Sequence, residues 1–209
     1  MKLYLSSFKI GNKAEELKKW ITENDNKICL IPNAMDVSLE SKKELRIQEG
    51  IRELEELGFE VTVTFLEEYF GEKEKLREHL KEFYAFYVLG GNTFILRQAM
   101  YLSGFDECLK ELAAKPNYLY AGYSAGICVL AEDLHGLEIV DSPNENPYDY
   151  DHVIWKGIGL IDYLPMPHYK SDHPESALMD EEIAYCRKNN IIYKTLRDGD
   201  VIIENTLVK

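Results

Sequence analysis

The chain is predicted to be a three-layer α/β protein with a mostly parallel central sheet, and three observations predict it. Short apolar runs alternate with longer amphipathic segments through most of the sequence, the pattern of parallel strands joined by helical crossovers. Residues 118–130, Tyr-Leu-Tyr-Ala-Gly-Tyr-Ser-Ala-Gly-Ile-Cys-Val-Leu, read as a strand that turns abruptly into a helix, with Ser124 at the junction. Near the end, Arg197-Asp198-Gly199-Asp200 separates two strand-like runs, which predicts a small C-terminal hairpin.

In order, residues 2–5 are a strand, 13–23 an amphipathic helix, and 27–31 an apolar strand closed by Pro32-Asn33. Residues 41–57 carry Leu45, Ile47, Ile51, Leu54 and Leu57 at helical spacing and stop at Gly58, a C-cap. The strand 61–65, the charged helix 72–83 and the strand 86–89 follow. Two helices, 93–102 and 105–115, lead through Pro116-Asn117 to the serine strand. Beyond it, 137–140 is strand-like, and 142–151 is a loop of Pro, Asn, Asp and Tyr that suits a pocket rim. The segment 164–169 holds Pro165, Pro167 and His168 and fits a strand end. The last helix is 175–188, and the runs 191–196 and 201–207 flank the turn.

Length and charge limit the function. The chain has 209 residues and is 45% hydrophobic, which predicts one domain spanning 1–209. A net charge of −13 excludes nucleic-acid and anionic-membrane surfaces, because Lys and Arg are interleaved with Glu rather than gathered in a patch. No apolar run has the length of a signal peptide core or a membrane span; the expected location is cytoplasmic. Cys29, Cys108, Cys128 and Cys186 are scattered without metal-site or redox spacing. They read as reduced packing residues, Cys128 facing the sheet rather than the site. No metal or organic cofactor is implied.

Gly122-Tyr-Ser-Ala-Gly126 fits the Gly-x-Ser-x-Gly nucleophile elbow, in which flanking glycines let strand and helix approach closely. Small residues also serve plain helix-on-sheet packing, so the strand-then-helix context gives the motif its weight. Ser124 is the candidate nucleophile, and the Ala125 N–H, at the start of a helix whose dipole favours negative charge, points to where an oxyanion forms. Leu89-Gly90-Gly91-Asn92-Thr93 lies at the carboxyl end of another strand, so Gly91 is a candidate second oxyanion donor and Asn92 or Thr93 a helix cap. Asn92, Tyr148 and Lys170 are candidate substrate contacts, with Tyr150 and Trp155 also near the rim. Among the histidines, His79 lies on a charged helix, His135 is too near the elbow helix to fold back, and His152 is in the loop. His168 is the first choice for a general base and His173 the second.

Val88-Leu-Gly-Gly-Asn-Thr-Phe, Gly122-Tyr-Ser-Ala-Gly and Pro167-His-Tyr, in this order and at these separations, resemble the peptidase E (aspartyl dipeptidase) family of serine peptidases. Its fold is similar to class I glutamine amidotransferase domains, and the likeness spans about residues 1–204. The resemblance implies a Ser-His-acid triad with Ser124 as nucleophile, His168 as base, and Gly91 with Ala125 as oxyanion donors. The family's late glutamate corresponds to Asp198, a shorter acid whose loop must sit closer to the imidazole; Glu181, Glu182 and Glu204 are rivals. The family also implies a small peptide substrate and an arginine after the Pro-His motif for an N-terminal aspartate. Here residues 176–182 hold no arginine and three acids, which argues against an aspartyl preference and for neutral or basic peptides. Alternatives are an amidotransferase-like binding module without catalysis and a related acyl hydrolase, either an esterase or cyanophycinase-like. A monomer or homodimer is expected.

Overall fold

The computed structural model describes residues 1–206. Their elements are β1 (Lys2–Ser6), α1 (Ala14–Glu23), β2 (Lys27–Ile31), α2 (Glu40–Leu57), β3 (Glu60–Val63), α3 (Lys73–Leu80) and β4 (Ala85–Val88). They continue with α4 (Thr93–Ser103), α5 (Phe105–Ala113), β5 (Leu119–Tyr123), α6 (Ala125–Cys128), β6 (Leu164–Met166), α7 (Met179–Asn189), β7 (Tyr193–Thr195) and β8 (Val201–Asn205).

Period-two burial along the strands builds three layers. Leu3 and Leu5 of β1, Cys29 and Ile31 of β2, and Phe86 and Val88 of β4 enter one cluster, with apolar residues of α3 to α7. Tyr4, Ile28, Leu30, Ala85 and Tyr87 point the other way, onto Leu17 and Trp20 of α1 and Ile47 and Leu54 of α2. The central strands β2, β4 and β5 are apolar on both faces because both are covered. Gly58 ends α2 with φ 104 and donates its N–H to Leu54 and Glu55, as the sequence predicts.

The main sheet runs β3-β2-β4-β5-β1-β8. Its neighbours are parallel except β8, which lies antiparallel to β1 with Tyr4 opposite Ile203. The three-layer, mostly parallel class therefore holds, but the C-terminal hairpin does not form. β7 pairs in parallel with β6, Leu164 opposite Tyr193, while β8 closes the edge of the main sheet. The turn between them is as expected, with the Asp200 N–H donating to the Arg197 carbonyl at 2.8 Å. It joins two sheets rather than two partners. Leu207, the end of the predicted last strand, lies outside the described residues.

Three smaller expectations also change. Leu137–Ile139 is a 3₁₀ turn and not a strand, entered through Gly136 at φ 107. The elbow helix is only Ala125–Cys128 before it loosens into turns, so it offers N–H groups rather than a long dipole. The last helix is preceded by a 3₁₀ turn, Pro174–Leu178, started by Pro174.

The packing at the elbow is tight enough to test. A Cβ on Gly126 would lie 2.4 Å from the Val88 carbonyl oxygen, so Gly126→Ala must push α6 off β4. The expected cost is about 3 kcal/mol or more, read as a fall in Tm of about 5–10 °C. A melt within experimental error of the parent would show that the elbow yields.

Candidate active site

At the end of β5 the chain reverses within one residue. Ser124 has φ 50 and ψ −120, a region side chains avoid and keep only where the surroundings fix it. Those surroundings are glycines. Any Cβ on Gly122 would stand 2.9 Å from the Val88 oxygen, and one on Gly90 would meet the Tyr123 ring at 2.7 Å and Ser124 Cβ at 2.9 Å. The Tyr120 hydroxyl donates to the Gly126 carbonyl at 2.5 Å and ties strand to helix. Gly91, at φ 150, lies against the Ala34 carbonyl, where a Cβ would be only 2.2 Å away. Among the described residues, neither the Gly91 nor the Ala125 N–H has a hydrogen-bond acceptor. The Asn92 side-chain oxygen caps α4 by accepting from Phe94 and Ile95, and its amide donates to the Ser142 carbonyl at 2.8 Å.

His168 follows β6 in a left-handed conformation, φ 61, and is 1% exposed. Its N–H donates to Ser7 Oγ at 2.8 Å, and its Nδ1 lies 2.7 Å from Asp198 Oδ1. The Ser7 hydroxyl in turn donates to the same Asp198 oxygen at 2.9 Å, while the Asp198 N–H donates to Ser171 Oγ at 2.7 Å. A carboxyl partner at Nδ1 favours the tautomer with the proton there, leaving Nε2 as an acceptor. Burial lowers the His168 pKa from its ordinary value, although Asp198 opposes the shift. The imidazole is accordingly poised to receive a proton. His173 stacks on it with centroids 3.8 Å apart and accepts the Glu175 N–H on Nδ1 at 3.4 Å, capping the turn that follows. Burial and then His168 lower its pKa as well.

Ser124 and His168 share a cavity of about 360 Å³, with Phe8 after β1, Ala34 and Met35 after β2, and Gly90 to Asn92 after β4. This is the carboxyl edge of a parallel sheet, where such folds place ligands. Lys42 and Arg46 of α2 and the acids Asp141 and Glu175 also line it. Behind Ser124 lies an inner chamber of about 10 Å³ bordered by Thr93, Cys128, Asp141, Glu175 and Glu182. Burial is the first cause of raised acid pKa values here, to about 6 for Asp141, about 7 for Glu175 and about 8 for Glu182. For Glu175 and Glu182 the next cause is the neighbouring Asp141. His168, His173 and Glu175 each offer a ligand atom within 4.8 Å of the others. The two rings are within 16° of parallel, so their lone pairs do not converge on one ion.

The structure thus brings together Ser124, His168, Asp198, Gly91, Ala125 and Asn92. His173 lines the same cavity and Glu182 borders the inner chamber, while the remaining candidates lie elsewhere. Glu181 is exposed on α7, and Glu204 accepts from Tyr163 at 2.6 Å. Tyr148 donates to Asp36 and packs edge-on against Phe70. Tyr150 faces Tyr101, Trp155 stacks on His135, and Lys170 lies over the Tyr169 ring. None of these four lines the serine cavity. Cys128 borders the inner chamber, contrary to expectation, and its Sγ donates to the Pro165 carbonyl of β6 at 3.5 Å. Sequence reasoning missed Ser7, Lys42, Arg46, Asp141 and Glu175. Only Glu175 carried a signal, as an acid following Pro174 at a helix start.

Glu182 supplies a test of this burial. Its folded pKa of about 8 exceeds the ordinary 4.5, so the folded state holds the proton more tightly than the unfolded state. Its contribution favours folding at low pH and is lost as pH rises from about 4.5 to about 8. Glu182→Gln should therefore stabilise the protein progressively between pH 5 and pH 9 in thermal melts. A Tm difference from the parent that is flat with pH would contradict the assignment.

The sequence model of Peptidase family S51 matches residues 4–205. A peptidase of Listeria innocua, named as uncharacterised, is 36% identical over 88 residues, covering 41% of this chain and 39% of its own. Another from Listeria monocytogenes is 32% identical over 149 residues, covering 69% of this chain and 66% of its own. The matched stretches span less than two thirds of either relative. A Drosophila melanogaster protein named "Probable alpha-aspartyl dipeptidase" is 29% identical over 97 residues, 46% of this chain and 38% of its own. In structure, a "Putative Peptidase E Protein" from Listeria monocytogenes EGD-e superposes with TM-score 0.74 at 21% identity, covering 98% of both chains. A peptidase from an acI-B1 actinobacterium gives TM-score 0.62 at 17% identity, covering 98% of this chain and 83% of its own. These two likenesses establish the fold alone. Matched by the family model over nearly its whole length, the chain belongs to peptidase family S51.

Proposed function

We propose that the chain is a serine peptidase that hydrolyses short peptides through an acyl-enzyme, with Ser124, His168 and Asp198 as its triad. The observation that supports this most is the 2.7 Å contact of His168 Nδ1 with Asp198 in a cavity that also exposes the strained Ser124. His168 Nε2 takes the hydroxyl proton as Ser124 Oγ bonds to the peptide carbonyl carbon. The N–H groups of Gly91 and Ala125 hold the resulting oxyanion. The imidazolium, stabilised by Asp198, then gives its proton to the leaving amine as the C–N bond breaks. Water attacks the acyl ester by the same route and restores Ser124. Ser7 and Ser171 position Asp198, and the Ser7 link to the His168 backbone fixes the distance that a short aspartate requires.

A fluorophosphonate probe should label Ser124 stoichiometrically, and Ser124→Ala should abolish the label; no labelling would favour a non-catalytic binding module. Ser124→Ala or His168→Ala should lower kcat on dipeptides by about 10⁴-fold or more. Asp198→Asn should fold normally and still lose most of the rate, because an amide cannot stabilise the imidazolium. Near-normal activity in His168→Ala would sink the assignment and move the base to His173.

Specificity follows from charge. Asp141 and Glu175 border Ser124, and no arginine lies in residues 176–182, so an aspartyl side chain on the acyl side meets like charge. The kcat/KM for Asp-Leu should not exceed that for Ala-Leu. A clear advantage for Asp-Leu would show this reading of the acids to be wrong.

A further inference from the structure

The Gly91 backbone is fixed from one side by a single carbonyl. Beyond β4 the Leu89 N–H donates to the Ile31 carbonyl at 3.0 Å, and the pairing resumes with the Asn92 N–H on the Ala34 carbonyl at 2.8 Å. Gly91 sits between these two bonds, packed so closely on the Ala34 carbonyl that no Cβ would fit. With planar peptides on either side of it, the position of that carbonyl sets the direction of the Gly91 N–H.

Ala34 belongs to the 3₁₀ turn Asn33–Met35, which is held from behind. Ala34, Met35, Val37 and Ser38 line the serine cavity, whereas Asn33 and Asp36 do not. Asn33 is fully buried and uses both amide hydrogens, one on Asp36 at 2.7 Å and one on Glu67 at 2.5 Å. Its side-chain oxygen accepts the Leu66 N–H at 3.0 Å. The Asp36 oxygen that receives Asn33 also receives the Tyr148 hydroxyl, and the Lys43 ammonium stands 2.8 Å from the other oxygen. The Asp36 side chain is only 6% exposed, and charge-assisted bonds to a buried carboxylate hold their geometry.

Tyr148 closes this arrangement into a ring of three segments. At the start of its loop the Asp141 carboxylate accepts the Thr93 N–H at 2.8 Å, and the Ser142 carbonyl accepts the Asn92 side-chain amide at 2.8 Å. Pro143 and Pro147 restrict the backbone that follows. The Tyr148 ring then packs edge-on against Phe70, centroids 5.0 Å apart, and presents its hydroxyl to Asp36. Residues 33–36, 91–93 and 141–148 thus brace one another. Burial first, and then the Asp36 charge, raise the Tyr148 pKa, so the hydroxyl remains a donor wherever His168 can act as a base.

Resting on the serine peptidase reading above, we propose that Asn33, Asp36 and Tyr148 are positioning residues that aim the Gly91 N–H at the oxyanion, acting through the Ala34 carbonyl. None of the three lines the serine cavity, so their influence passes through the backbone of the 33–36 turn. Loss of the Tyr148 hydroxyl frees one side of that turn and lets the Ala34 carbonyl, and Gly91 with it, drift. The bound substrate meets nearly the same walls. The tetrahedral intermediate, whose oxygen needs a donor at a fixed place, loses its hold.

The test compares the full chain with Tyr148→Phe, which keeps the ring against Phe70 and removes only the hydroxyl. Active sites are counted by complete fluorophosphonate labelling, so a loss of folded protein does not register as a loss of rate. On Ala-Leu, kcat per labelled site should fall about 10- to 100-fold while KM stays within about twofold. The pH profile should keep its shape, because His168 and Asp198 are untouched. Affinity for 1-aminoethylboronic acid, which forms a tetrahedral adduct on serine, should fall by the same factor as kcat. Ala-Leu itself should bind Ser124→Ala equally well with and without Tyr148→Phe in calorimetry. An unchanged kcat per site beside a lower Tm would make the ring of segments structural only, and a raised KM at constant kcat would place Tyr148 in substrate binding. Either result overturns the positioning role and leaves the serine peptidase reading standing. If Ser124 of the parent takes no label, both fall.

Discussion

The site depends on how closely the Val88 carbonyl approaches the elbow. Gly122 before Ser124 and Gly126 after it both pack on that one oxygen, with no space for a Cβ on either. This contact pulls α6 against β4 and forces Ser124 into its left-handed conformation, a strain of about 1–3 kcal/mol that the packed cluster on that face must offset. The same approach brings Gly90 against Tyr123 and Ser124, and Gly91 against Ala34. Three strand ends thus converge on one point, and the N–H groups of Gly91 and Ala125 are left without acceptors as a result.

A second constraint joins the two sheets. Ser7, just beyond β1, accepts the His168 N–H and donates to Asp198, so one hydroxyl fixes the imidazole's backbone and its carboxyl partner together. The pairing of β6 with β7 delivers His168, and the pairing of β8 with β1 delivers the turn that carries Asp198. Had β7 and β8 paired with each other, that turn would be the free tip of a hairpin. Because they belong to different sheets, the turn is held over the end of β1 instead.

The elbow, the Gly-Gly loop, the Gly58 cap and the Pro-His segment were legible in the sequence because each is a local steric demand written in neighbouring residues. The predicted hairpin fails for a related reason. Arg197-Asp198-Gly199-Asp200 does form a turn, but turn chemistry says nothing about which strands pair across it. Chain position alone puts Tyr148 and Lys170 near the substrate, whereas Asp36 and Tyr169 engage them. Asp141, Glu175 and Lys42 come from three separate segments that only the fold brings to one cavity. Apart from Pro174 before Glu175, nothing in their own surroundings marks them.

The position of Glu175 bears on the base at His168. Its Oε2 lies 3.8 Å from His168 Nε2, too far for a hydrogen bond but near enough for its charge to be felt. An ionised Glu175 would favour the imidazolium and keep the proton that the leaving amine must receive. Burial pushes its pKa to about 7, so near neutrality a large share of it is uncharged, and the imidazole remains a base. Asp198 on the opposite nitrogen is left as the group that orients it.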